Sequence, residues 1–294
     1  MQIGANGITL EVEDYGSPQG EPLLLVMGLG MQLLGWHEDF VAALVARGFR
    51  VIRFDNRDIG LSQSFDAAGV PNLAIDSLRH AFGLRVSSPY TLADMAADSA
   101  GVLDALGIES AHVCAASMGG MIAQRLAAHH PERVRSLTLM MTSSGSRRLP
   151  GPSLKVRSAL ISRPKEPRHL AGIVEHYVWL YGLLGSPAFP ASKDYLRERF
   201  TRSVARSYRP GGTARQMLAI AADGDRSALL ADLRPPTHVI HGAADPLVPV
   251  PAGRDLAARI PGATLDVIDG MGHDLPRELW PRFVAGIAGA AGRG

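Results

Sequence analysis

Apolar positions along this chain fall into two rhythms that alternate from one end to the other. Residues 8–16, ITLEVEDYG, switch between apolar and polar at each step and predict an antiparallel edge strand. Residues 22–28, PLLLVMG, are apolar without interruption, as a strand buried on both faces requires. Residues 36–47 carry apolar side chains at helical spacing and stop at Gly48. Residues 49–55, FRVIRFD, predict the next strand. Residues 91–106 predict a helix with Thr91 as its cap, Asp94 three residues on, and Gly107 at its end.

The alternation continues through HVCAA (strand), residues 118–130 (helix), VRSLTLMM, THVIHG and ATLDVID (strands), and a last helix starting near Pro276. Strands separated by helices pair in parallel through crossover connections. The fold class that follows is α/β, a mostly parallel sheet with helices on both faces. From residue 144 to 224 no strand-like run occurs, and aromatic residues and helical stretches take over. An excursion of that length predicts a helical cap inserted into a core made of residues 1–143 and 225–294.

Composition narrows the function classes. The chain has 294 residues, 46% apolar and 20% charged, which fits one large globular unit with an insertion. A formal charge of +2 argues for neither nucleic acid nor a membrane surface as partner. The start, MQIGANGITLEVEDYG, lacks a basic stretch followed by an apolar run, so a cytoplasmic location is the expectation. The single cysteine, Cys114, has no partner for a disulfide or a metal site, and it reads as a small buried strand residue. No metal or organic cofactor is expected.

Candidate chemistry starts at Ser117. Small residues precede it in VCAA, Gly119 and Gly120 follow it, and a helix begins at Met118. A hydroxyl on a sharp strand-to-helix turn, at the carboxyl end of a strand, faces the crevice where α/β sheets bind ligands. The other reading is a small-residue turn with a solvent-facing serine. Asp245 stands in THVIHGAADPLVP after a strand, where it is either an acid partner or a turn aspartate. His273 stands in LDVIDGMGHDLP, in a glycine-rich turn before a helix. His238 and His241 lie on or beside a strand and read as packed or turn residues, and His129 and His130 end a helix.

These segments resemble the α/β-hydrolase fold superfamily, from about Gly7 to Phe283 outside the cap. Ala-Ala-Ser-Met-Gly resembles the nucleophile elbow G-x-S-x-G, with Ala115 for the first glycine. The resemblance implies an eight-stranded, mostly parallel sheet and a Ser117–Asp245–His273 triad in the family's chain order. It also implies an oxyanion hole from the backbone N–H groups of Met118 and Leu29. Met27-Gly28 in place of the frequent His-Gly, together with FDNRDIGLSQS, is similar to the branch containing anthracycline methyl esterases. Asp55, Arg57 and Asp58 in that segment read as a hydrogen-bonded structural turn.

The resemblance implies a carboxylesterase acting through an acyl-enzyme on a small, apolar ester. A serine nucleophile argues against the dehalogenases and epoxide hydrolases of this fold, which use aspartate, and a basic cap argues against an iminopeptidase. Lactonase, C–C bond hydrolase and perhydrolase activities use the same triad and stay open, as does a non-catalytic ligand-binding relative. Gly28, Met31, Trp179 and Tyr181 are the substrate-binding candidates, although cap aromatics equally form a small core of their own. Met27, Met31 and Met118 line an adaptable pocket floor or fill the core. The arginine excess of the cap attracts an anionic group or coats solvated helices. Monomer and homodimer are both open.

Overall fold

The computed structural model describes residues 1–82 and 84–292. Eight strands form one sheet: β1 Gln2–Ala5, β2 Ile8–Tyr15, β3 Glu21–Val26, β4 Phe49–Phe54, β5 Ala111–Ala116, β6 Val134–Met140, β7 Thr237–Gly242 and β8 Thr264–Ile268. Their spatial order is β1-β2-β4-β3-β5-β6-β7-β8. β1 and β2 pair antiparallel, β2 and β4 antiparallel, and every later neighbour pair is parallel.

The antiparallel reading of residues 8–16 holds, but the edge position does not. β1 pairs outside β2, with Ala5 opposite Ile8 across a two-residue loop. Asn6 and Gly7 in that loop have φ of 49° and 75°, the twist a tight hairpin needs. Four residues, QIGA, are too few to display a period, so the Asn-Gly pair is the legible mark of this strand.

Eleven α-helices accompany the sheet among the described residues. α1 is Glu38–Ala46, α2 Leu73–Ala81, α3 Leu92–Ala105 and α4 Met118–His129. α5 Leu154–Leu160, α6 Leu170–Leu184, α7 Lys193–Arg206 and α8 Pro210–Asp223 lie between β6 and β7. α9 Ser227–Leu230, α10 Pro251–Arg259 and α11 Trp280–Ala290 complete the chain. At the start of α3 the Thr91 side chain accepts from the Asp94 N–H while Asp94 reaches back to the Thr91 N–H, two orphan donors satisfied reciprocally. No helix among the described residues is long and apolar enough to cross a membrane.

The uninterrupted apolar strands serve two cores. Leu24, Val26, Val113 and Ala115 pack with α3 and α4 on one face, while Leu23, Leu25, Cys114 and Ala116 pack with α1 and α11 on the other. A third, small cluster of Val174, Val178, Leu196 and Phe200 joins α6 to α7. β5 sits between β3 and β6 near the middle of the sheet, so its carboxyl end opens where both cores meet.

Candidate active site

Ser117 follows β5 directly and caps α4 with φ of 54° and ψ of −121°. A non-glycine residue adopts such a backbone only under strain, and strain of this kind concentrates at working sites. Its N–H donates to the Met140 carbonyl at 2.9 Å and its own carbonyl accepts from Thr142 Oγ1 at 2.6 Å. The turn is thereby held from β6. The small residues after it have a steric cause: a Cβ on Gly119 would stand 2.2 Å from the Val26 carbonyl oxygen. Ala115 is different. It lies within β5 in ordinary extended backbone, so alanine there meets no conformational barrier.

His273 Nε2 lies 3.0 Å from Ser117 Oγ, and His273 Nδ1 lies 2.7 Å from Asp245 Oδ2. Asp245 is buried, and its other oxygen, Oδ1, accepts the N–H groups of Leu247 and Val248 at 2.8 Å each. One carboxylate thus serves as turn residue and as histidine partner at once, so the two readings of Asp245 coincide. His241 Nε2 donates to the Val248 carbonyl at 2.7 Å and stands 3.8 Å from Asp245 Oδ2. Its ring is buried against Gly253, and burial depresses its basicity. It is a packed residue, and it braces the turn that carries Asp245.

The loop after β3 runs beside Ser117, with Gly28 close enough that a Cβ on it would lie 3.1 Å from the Ser117 Cβ. No acceptor among the described residues takes the N–H of Leu29 or of Met118. Met118 follows Ser117 at the start of α4, and Leu29 lines the same cavity as Ser117. The loop is anchored on either side. Asn56 donates to the Met27 carbonyl at 2.8 Å, and Gly30 donates to Gln216 Oε1 at 2.9 Å. Gln216 is fully buried on α8, and its amide nitrogen donates onward to the Arg57 carbonyl at 3.0 Å.

The histidine loop is anchored in the same way. His273 N–H donates to the Leu184 carbonyl at 2.8 Å, and Gly272 N–H donates to Ser186 Oγ at 2.8 Å. Ser186 in turn donates to Asp274. Burial raises the Asp274 carboxyl above the usual carboxylate range. Gln216 and Ser186 both belong to the 144–224 segment, and neither bears a mark in the sequence that singles it out.

Asp55, Arg57 and Asp58 form a buried hydrogen-bonded turn. Asp55 accepts from Leu33 and Leu61, Arg57 clasps Asp98 with two hydrogen bonds of 2.6 and 2.7 Å, and Asp58 accepts from Phe65 and Tyr90. The two aspartates also receive arginines from across the chain. Arg206 of α7 reaches Asp55 at 2.7 Å, and Arg215 of α8 forks onto Asp58 with two bonds of 2.7 Å. Two of the arginines of residues 144–224 are therefore engaged in internal ion pairs with this turn.

A cavity of about 930 Å³ opens over Ser117 and His273. Gly28, Leu29, Met31 and Tyr181 line it, and the Tyr181 hydroxyl lies 3.4 Å from the Met31 sulfur. Two candidates fall elsewhere. Trp179 is not in the cavity wall; it is 51% exposed and its ring leans on His176. On α6 the cavity-lining positions are His176, Tyr177, Leu180, Tyr181 and Leu184, a three-to-four-residue spacing that turns Trp179 away. Met118 contributes its backbone at the turn, but its side chain is wholly buried in the core cluster of α3 and α4. Met27 and Met31 do line the cavity. Among the described residues no cluster of His, Cys, Asp and Glu could hold a metal ion, and burial drives the Cys114 thiol far from ionising.

Comparison with known proteins agrees with this architecture. A family model described as alpha/beta hydrolase fold matches residues 21–276. The chain is 30% identical over 305 residues to rhodomycin D methylesterase DauP of Streptomyces sp., covering 97% of this chain and 95% of that one. It is also 30% identical over 300 residues to rhodomycin D methylesterase DnrP of Streptomyces peucetius, covering 95% and 94%. The meta-cleavage product hydrolase of Pseudomonas fluorescens superposes with a TM-score of 0.77 at 22% identity, covering 99% of this chain and 96% of that one. That likeness concerns the fold.

Proposed function

The chain belongs to the alpha/beta hydrolase fold family, and from that premise we propose that it hydrolyses carboxylic esters through an acyl-enzyme on Ser117. The observation that carries the proposal is the hydrogen-bonded line Ser117–His273–Asp245, opening onto the cavity.

Ser117 Oγ attacks the ester carbonyl while His273 Nε2 takes its proton. Asp245 holds the Nδ1–H of His273, keeping the tautomer whose Nε2 is free to accept, and stabilises the ring once charged. The carbonyl oxygen becomes an oxyanion and accepts the N–H groups of Leu29 and Met118, with the amino end of α4 behind it. Collapse breaks the bond to the alcohol oxygen, which His273 protonates. Water then attacks the acyl-Ser117 ester by the same proton path and releases the carboxylic acid. No metal or organic cofactor enters these steps.

The two Streptomyces relatives are named as methylesterases, and this favours a small-molecule methyl ester as substrate. Residues 144–224 act as a cap: α6, α7 and α8 supply cavity-lining residues such as Tyr181, Arg199 and Thr213, so this segment sets which acyl groups fit. A fluorophosphonate probe tests the proposal. It should form one covalent adduct, mapped to Ser117 by peptide mass spectrometry, and p-nitrophenyl ester turnover should vanish in Ser117→Ala. Turnover that survives this substitution, or labelling elsewhere, overturns the proposal.

A further inference from the structure

Several arginines of residues 144–224 have partners. Arg197 pairs with Glu175 and Asp194, Arg202 with Glu38, Arg206 with Asp55, and Arg215 with Asp58 and Asp66. Arg209 donates to the Ser62 carbonyl. Arg199 follows another pattern. It is half-buried on α7 and lines the cavity that holds Ser117 and His273. It forms no ion pair among the described residues. Its guanidinium carbon lies 5.2 Å from the centre of the Tyr181 ring and 5.7 Å from that of Phe200. Two ring faces thus hold the side chain in place without neutralising it.

Asp274 lies within electrostatic reach of that charge, and Arg163 adds a second, exposed cation to the wall. Asp274 is the one carboxylic side chain lining the cavity among the described residues. It is bonded to Ser186, and burial draws it towards its neutral form. The surroundings are otherwise mainly apolar or aromatic, with Met31, Tyr177, Leu180 and Leu184 close along the chain or across the cavity. A guanidinium in such a wall loses hydration and gains most from an anionic oxygen, which it binds through charge-assisted hydrogen bonds.

The geometry points to Arg199 as the recognition site for a carboxylate, or another anionic oxygen, on the substrate away from the scissile carbonyl. This deepens the esterase reading and rests on it: with a methyl group on the alcohol side, the anion belongs to the acyl part. The substrate class is therefore an ester whose acyl group also carries an ionised acid, of which a dicarboxylic acid half-ester is the simplest case.

Monomethyl esters of succinic, glutaric, adipic and pimelic acids, each set against its dimethyl ester, test the inference. At the chain length that spans the cavity, kcat/KM for the half-ester should exceed that for the neutral diester by about tenfold or more. That ratio should fall towards one in Arg199→Met and persist in part in Arg199→Lys, which keeps a cation. A ratio at or below one at every length in the wild type, or one unchanged in Arg199→Met, overturns the inference. Titration of monomethyl adipate into Ser117→Ala, with and without Arg199→Met, reads the subsite without turnover. Binding that depends on Arg199 in a protein whose parent hydrolyses no ester supports the subsite and sinks the esterase reading. Ester turnover by the parent with no such dependence sinks the subsite alone.

Discussion

His273 Nε2 stands 3.0 Å from Ser117 Oγ although 156 positions separate the two residues along the chain. Neither side chain reaches that geometry through its own loop. Ser117 is turned outward by a backbone at φ of 54°, and His273 is held by the Leu184 carbonyl and, through Gly272, by Ser186.

Asp245→Asn tests the orienting carboxylate. The amide retains the volume and can still receive the Leu247 and Val248 N–H groups on its oxygen. Facing His273 with an NH₂ favours the wrong tautomer, and kcat should fall about 10⁴-fold at neutral pH with the melting temperature little moved. Steady-state kinetics with a p-nitrophenyl ester measure it; a loss under tenfold speaks against the assigned role.

Gln216→Leu tests the anchor of the oxyanion loop. It removes the acceptor of the Gly30 N–H and the donor to the Arg57 carbonyl in a buried place. Orphaned buried groups of this kind cost about 1–3 kcal/mol each, and a loosened Leu29 N–H stabilises the transition state less. The expected pattern is kcat reduced by tenfold or more with KM changed much less, together with a lower unfolding midpoint. A rise in KM alone would count against it.

Arg215→Leu leaves Asp58 buried without its cation, and breaking such a pair costs about 3–5 kcal/mol. The double replacement Asp58→Leu with Arg215→Leu should be less destabilised than the sum of the two singles, because no uncompensated charge is left. Urea unfolding of the four proteins reads the coupling; strict additivity contradicts a direct pair. Because Arg215 ties α8 to the Asp58 turn, the single variant should also open the cavity region to proteolysis first.

Acidification should weaken the fold partly through His241. Burial lowers its folded-state pKa, while the unfolded chain regains about 6.5. Below that value the unfolded state binds the extra proton and the folded state resists it, so stability falls as pH falls through the window under about 6.5. Between about pH 7.5 and about pH 5, His241→Gln should lose less unfolding free energy than the wild type. Equal losses would rule His241 out as a contributor.

Much of the scaffold was legible in local pattern. Unbroken apolar runs at PLLLVMG and HVCAA announce central strands because both of their faces are buried, and Thr91 with Asp94 announces a helix start. Ser117, Asp245 and His273 each follow a strand, and a parallel sheet delivers all such carboxyl ends to one rim. Local punctuation left each of them open to a plainer reading, and the resemblance to the α/β-hydrolase superfamily, with its chain order of serine, acid and histidine, nominated the three together. β1 escaped because four residues carry no measurable period.

What the tertiary structure alone decided are pairings between distant segments. Trp179 and Tyr181 sit two residues apart on α6, yet one faces solvent and the other the cavity; the sequence supplies the helix but not its rotation about its axis, which packing against α7 sets. Gln216 beneath Gly30, Ser186 beneath Gly272 and Arg215 on Asp58 join positions 186, 86 and 157 residues apart. A hydrogen bond depends on where two backbones come to lie within about 3 Å, and no local periodicity encodes that distance.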